Sequence, residues 1–183
     1  VSRIDRRKKI DWMIKSVIKA HQKNPEIFLD IYGGDEYGFL SELQAMVAEA
    51  QAQSYIRFQG WADVTEIYKN YEVYLTASLW ETLGLSVMEA IGSGNAVIGL
   101  NVRYGNRLFV HPGENGYLVD FDPAYVTGDD TELIEAMSEK IVDIFSDQDR
   151  LNQFHEASYE TGRCFFQTEI EKKWKELLEG TIP

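Results

Sequence analysis

From Glu26 to Gly99 the chain alternates short apolar runs with stretches whose apolar residues recur every three or four positions. The runs Glu26-Ile-Phe-Leu-Asp-Ile-Tyr32, Tyr55-Ile-Arg-Phe58, Tyr71-Glu-Val-Tyr-Leu-Thr76 and Asn95-Ala-Val-Ile-Gly99 are too short for helices, and each is expected to be a buried strand. Between them, Leu40, Leu43, Met46, Val47 and Ala50 form a helical stripe, Val64 to Asn70 a short helix, and Leu83 or Gly84 to about Ser93 another. Upstream, Ile10, Met13, Ile14, Val17 and Ile18 mark a helix from Lys8 to Gln22, stopped by Asn24-Pro25. Buried strands joined by helical crossovers predict an α/β fold, a Rossmann-like, mostly parallel sheet with helices on both faces. Such sheets bind ligands at the carboxyl ends of their strands, so the exit loops at Gly33-Gly34, Gly60 and Ser78 to Gly84 are expected to converge.

Beyond Gly99 the pattern loosens. A helix is possible between Asn101 and His111, and Asn115-Gly116 reads as a turn before a strand ending at Val119. Thr131 to Phe145 is helical, with Leu133, Ile134, Met137, Ile141, Ile144 and Phe145 on one face, and Arg150 to Glu160 and Thr168 to Glu179 give two more helices. The last carries Ile170, Trp174, Leu177 and Leu178 as a stripe that either packs on this domain or is left exposed for another. Residues 1–183 therefore read as a single domain with no internal repeat. A strand is expected just upstream of the basic turn at Val1-Ser-Arg, so the chain reads as truncated.

A net charge of −12 argues against nucleic-acid binding, which needs clustered cations to displace counterions from phosphate. Yet five of only 18 Lys and Arg residues fall in the first nine positions: Arg3, Arg6, Arg7, Lys8 and Lys9. That is either a solvated helix start or an anion site on an acidic protein. One cysteine, Cys164, excludes an internal disulfide and a cysteine-built zinc site, and is expected as a reduced thiol packed at the end of an element. No apolar run reaches the ~20 residues that span a bilayer, and no signal peptide opens the chain, so a cytoplasmic location with at most peripheral membrane contact is expected.

The chemistry concentrates in Glu81-Thr-Leu-Gly-Leu-Ser-Val-Met-Glu89. On one ideal helix the two carboxylates would lie roughly 80° apart around the axis and about 12 Å along it, too far to serve one atom but suited to two ends of an extended ligand. Between them the backbone N–H groups of Gly84, Leu85 and Ser86 are expected to form an anion cradle at a helix start. Gly84 is expected to let a ligand approach the backbone. The plain alternative is a pair of solvated glutamates on a core-facing helix.

These motifs resemble family-four retaining glycosyltransferases of GT-B architecture. The likeness runs through Val1-Ser-Arg-Ile-Asp-Arg-Arg-Lys8, Gly33-Gly34-Asp35, Phe58-Gln-Gly60, Glu81 to Ala90, Gly94-Asn-Ala-Val-Ile and Asn115-Gly-Tyr-Leu-Val, in order and at proper spacing. It implies the C-terminal, nucleotide-sugar-binding half of an enzyme whose N-terminal acceptor domain lies elsewhere, so that this part alone is inactive. It also implies that Arg3 and Lys8 grip the donor diphosphate, Glu81 holds sugar hydroxyls, Glu89 accepts from the ribose, and Gly33 lines the donor site. The loop of Gln59, Gly60 and Trp61 falls where the base edge is read. Lys9 departs from the glycine usual after the lysine, and either adds charge or points to solvent. Arg103-Tyr-Gly-Asn-Arg-Leu-Phe109 and Glu114-Asn-Gly-Tyr-Leu look most like bacterial accessory-secretion enzymes that add N-acetylglucosamine from UDP to Ser/Thr of serine-rich adhesins. Teichoic-acid glucosyltransferases using UDP-glucose, and non-catalytic partner subunits of the same fold, are the rivals. The adhesin resemblance implies a related activator subunit. The resemblance implies UDP-sugar as donor and no metal or other cofactor. Asp120-Phe-Asp122 spells a metal-holding pattern elsewhere but is expected to face solvent here, and His21, His111 and His155 are expected to be surface or core residues.

Overall fold

A computed structural model describes residues 1–180, with Thr65 in its backbone alone. Helix α1 (Ile10–Lys23) buries Ile10, Trp12, Met13, Ile14, Val17 and Ala20, and ends where Pro25 forces Asn24 into extended backbone. Strand β1 (Leu29–Tyr32), helix α2 (Leu40–Glu49) and strand β2 (Ile56–Gly60) form one parallel crossover. Strand β3 (Val73–Leu75), helix α3 (Leu85–Gly92), strand β4 (Ala96–Leu100), helix α4 (Gly105–Phe109) and strand β5 (Gly116–Val119) form a second parallel layer, with β4 buried along its whole length. Helices α5 (Thr131–Ile144), α6 (Gln148–Arg163) and α7 (Gln167–Leu178) complete the chain.

The expected α/β layering is present, but the sheet is in two pieces, β1-β2 and β3-β4-β5. One apolar core runs under both, from Ile14 and Val17 on α1 through Ile31 and Ile98 to Met137 and Ile141 on α5. A second cluster on the other side joins Tyr68 and Tyr74 to Val87, Ala90 and Ile91 of α3, Val97, and Phe109. Val87 and Ile91 are fully buried, and each such side chain stabilises by about 2 kcal/mol. Behind α3, Gly162 of α6 lies so near that a Cβ there would sit 2.5 Å from the Gly92 Cα. Helix α3 is therefore held on two sides.

Local departures have local causes. The stretch Val64 to Asn70 is two single 3-10 turns rather than one helix. Asn24 accepts from the Ile27 N–H in a turn, which delays β1 to Leu29. Ala50 ends α2 exposed rather than joining its stripe, and Cys164 caps α6 as an exposed thiol rather than a packed one. No residue of α7 is buried, and Trp174, Leu177 and Leu178 face solvent. Among the described residues no helix is long and apolar enough to cross a membrane.

Candidate functional site

The site is built on the turn into α3. Gly84 takes φ 77°, ψ 59°, a left-handed conformation that glycine adopts without strain. A Cβ at Gly84 would meet Val87 at 3.5 Å and Glu81 at 3.6 Å, which is ordinary contact, so within the protein it is the left-handed conformation that favours glycine. The first amide to bond within the helix is that of Met88, to the Gly84 carbonyl at 3.0 Å. No side chain caps the turn, and the N–H groups of Leu85, Ser86 and Val87 have no acceptor among the described residues. The Ser86 hydroxyl accepts from the buried Tyr74 phenol at 2.9 Å, which leaves its amide as the group without a partner.

Glu81 is clamped by its own main chain. Its carbonyl accepts from the N–H of Tyr104 at 2.7 Å and of Gly105 at 3.1 Å. Gly105 packs so tightly that a Cβ would lie 2.1 Å from the Leu83 carbonyl oxygen. In the sequence this segment shows a possible helix and a subfamily likeness but not its role as the brace of the Glu81 loop, for which the glycine was the available signal.

Lys8 reaches this loop from 73 positions away, its Nζ 2.6 Å from Glu81 Oε1. The two side chains are only 23% and 12% exposed, so the pair is shielded enough to matter electrostatically. What aims Lys8 is a 3-10 turn, Arg6–Lys8, capped by Asp5. Asp5 accepts from the Arg7 amide at 2.8 Å and from its guanidinium at 2.6 Å, and the Arg7 hydrogen bonds hold its carboxyl down to about 2. The Leu79 amide donates to the Arg7 carbonyl at 2.9 Å and ties this turn to the exit of β3.

The basic cluster separates on folding. Arg6 pairs with Glu42 and lies over the Phe39 ring, and Arg7 is spent on Asp5. Lys9 neither adds to the site nor points to solvent: its ammonium folds back over Trp12 at 4.2 Å, and its backbone is left-handed (φ 47°, ψ 46°). That conformation explains the glycine that the resemblance predicts at this position. Arg3 stays half-exposed and meets Glu36 at 3.6 Å.

Glu89 is exposed on the second turn of α3, where its Oε2 accepts from the Tyr68 phenol at 2.9 Å. Burial, with Tyr74 and Glu89 adding to it, raises the Tyr68 pKa, so the phenol stays a donor. Nothing in the sequence singled out Tyr68.

The other expected contacts are dispersed. Gly33 answers a backbone demand, since a Cβ there would lie 1.7 Å from the Ser2 carbonyl oxygen. Gln59 donates to Asp30 at 3.0 Å, Gly60 ends β2 at φ 72° and accepts from the Gly33 amide, and Trp61 is 82% exposed. Asp120 accepts from Asn101 at 2.9 Å and Asp122 caps the turn Pro123–Val126, which accounts for both acids of the Asp-x-Asp pattern. His21 stacks on Tyr55, His155 bonds the Glu72 carbonyl, and His111 lies 3.8 Å from Glu114.

Residues 1–147 match the family described as Glycosyl transferases group 1. The chain is 42% identical over 97% of its length to the "UDP-N-acetylglucosamine--peptide N-acetylglucosaminyltransferase GtfA subunit" of Streptococcus gordonii, and covers 34% of that protein. It superposes on the pneumococcal O-GlcNAc transferase GtfA in complex with UDP and GlcNAc with a TM-score of 0.89 at 41% identity, covering 98% of this chain and 34% of that one. A GtfA/B complex gives a TM-score of 0.88 at 39% identity, with 98% and 34% covered. The poly(glycerol-phosphate) alpha-glucosyltransferase of Bacillus subtilis is more distant, 22% identical over all of this chain and 25% of that protein. The chain thus spans about a third of the length of the GtfA relatives it matches.

Proposed function

Because the chain belongs to the group 1 glycosyltransferases, we propose that it is the donor-binding wall of a retaining enzyme that moves N-acetylglucosamine from UDP to Ser/Thr hydroxyls of a serine-rich protein. The observation that carries this reading is the run of three unbonded amides, Leu85 to Val87, the first two on accessible residues, between a lysine-paired Glu81 and a tyrosine-held Glu89. The diphosphate sits on those amides, at the positive end of the α3 dipole. Glu89 accepts from the ribose hydroxyls, and Glu81 holds the sugar. As the glycosidic bond breaks, negative charge grows on the departing UDP, and Lys8, Arg3 and the amides offset it. The cationic work falls on these groups without a metal.

Identity favours the N-acetylglucosaminyl relatives over the teichoic-acid enzyme, 42% against 22%. The acceptor hydroxyl is presented by a second domain, so this chain binds the donor and does not transfer by itself. A related partner subunit completes the enzyme, by analogy with the GtfA/B complex. It works in the cytoplasm, where UDP-sugars are made, with peripheral membrane contact at most.

Titration calorimetry with UDP and UDP-N-acetylglucosamine tests the reading. Both are expected to bind, and binding should survive EDTA. No heat and no thermal shift with either nucleotide would remove the donor site.

A further inference from the structure

Glu89 lies one helical turn beyond the unbonded amides, on the face of α3 that it shares with Leu85 and Ser86. Helical side chains lean toward the amino end, so its carboxylate leans back toward the anion cradle. An exposed glutamate there would turn freely among rotamers. The Tyr68 phenol fixes one of them by donating to Oε2 at 2.9 Å.

Tyr68 is itself held in place. It is only 5% exposed, and its ring meets that of Tyr74 edge-on with 6.0 Å between centroids. Its carbonyl accepts from the Asn95 side-chain amide at 2.9 Å. The same amide group donates to the Tyr71 carbonyl, so Asn95 closes the single turn Tyr68–Asn70 at both ends. The main-chain N–H of Asn95 donates in turn to the Ala90 carbonyl at 2.9 Å. One buried residue thus fastens the turn that carries the phenol to the helix that carries the carboxylate.

The kind of partner matters as much as its position. Glu81 is paired with the Lys8 cation, for which donor phosphates compete, whereas Glu89 is paired with a neutral hydroxyl that burial keeps protonated. The phenol takes one lone pair of Glu89 and leaves its charge intact. Oε1 and the remaining lone pair of Oε2 stay available for two neighbouring hydroxyls. A carboxylate already set in one rotamer also loses less side-chain entropy when a ligand arrives.

We propose that Tyr68 is the positioning residue through which this site selects a ribonucleotide: it sets the Glu89 carboxylate for both ribose hydroxyls without touching the ligand. The proposal rests on the donor-site reading of Glu89.

The test is Tyr68→Phe, which removes one oxygen and keeps the ring packed on Tyr74. Calorimetry compares UDP, UDP lacking both ribose hydroxyls, and inorganic pyrophosphate in the unaltered chain, Tyr68→Phe, Glu89→Ala and the double variant. Tyr68→Phe is expected to weaken UDP about fivefold and to leave the other two ligands within about twofold. The double variant is expected to bind UDP as Glu89→Ala does, because Tyr68 acts only through Glu89. Unchanged UDP binding in Tyr68→Phe would overturn the proposal. Equal weakening of all three ligands, which a merely structural residue produces, or additive losses in the double variant would overturn it too. If the unaltered chain binds UDP and its form without ribose hydroxyls equally, the ribose assignment of Glu89 falls first and takes the proposal with it.

Discussion

Two acidic clusters in this molecule differ in one respect that separates structure from function. Asp30 is saturated: Arg57 donates twice, at 2.6 and 2.8 Å, Gln59 at 3.0 Å and the Tyr71 phenol at 2.6 Å. Burial pushes its carboxyl up, but those donors win and hold it below the usual carboxylate range. Glu81 and Glu89 each accept one side-chain hydrogen bond, from Lys8 and Tyr68, and stand on either side of unbonded amides. A carboxylate with every lone pair engaged holds the fold. One with acceptor capacity left beside open donors is equipped for a ligand.

The contrast breaks most visibly at Asp30. Replacing Asp30 by Ala strands Arg57 and Tyr71 and should cost about 2–3 kcal/mol in urea unfolding, with UDP affinity per folded molecule unchanged. Comparable loss of UDP affinity would mean that the saturated cluster belongs to the site. Next in size, Lys8→Ala is expected to weaken UDP about tenfold while leaving uridine within about twofold, since a charged contact to phosphate is worth roughly 1.4 kcal/mol or more. An unchanged UDP-to-uridine ratio by calorimetry would remove Lys8 from the diphosphate.

The smallest effect sharpens how Lys8 is aimed. Asp5 has a folded pKa of about 2 against 3.8 when free, so its stabilising contribution is complete above pH 4 and is lost as pH falls toward 2. Asp5→Asn should therefore lower stability at neutral pH and flatten the acid limb between about pH 4 and pH 2. An unaltered limb in acid titrations followed by circular dichroism would show that the Asp5 cap contributes nothing.

Periodicity made the layers legible, because burial of one helix face or a whole strand leaves its mark on adjacent residues. Ile10, Met13, Ile14 and Val17 all reach the core as their spacing requires. The glycine at position 84 and the acids at 81 and 89 were visible for the same local reason. What was hidden depends on distance or on backbone. The Lys8–Glu81 pair joins positions 73 apart, and Tyr68 meets Glu89 across 21. The scatter of Arg6, Arg7 and Lys9 onto Glu42, Asp5 and Trp12 depends on a capped 3-10 turn and a left-handed residue that composition does not reveal. The division of the sheet was equally invisible, since each fragment obeys the same pattern.

The central claim is that Glu81 and Glu89 grip opposite ends of one nucleotide sugar. The most direct measurement is calorimetric affinity for UDP in Glu89→Ala and Glu81→Ala side by side. The account predicts that Glu89→Ala weakens UDP about tenfold, as loss of charged ribose contacts requires, while Glu81→Ala leaves UDP within about twofold and impairs use of the donor sugar in the whole enzyme. Equal loss of UDP affinity in the two variants would contradict it.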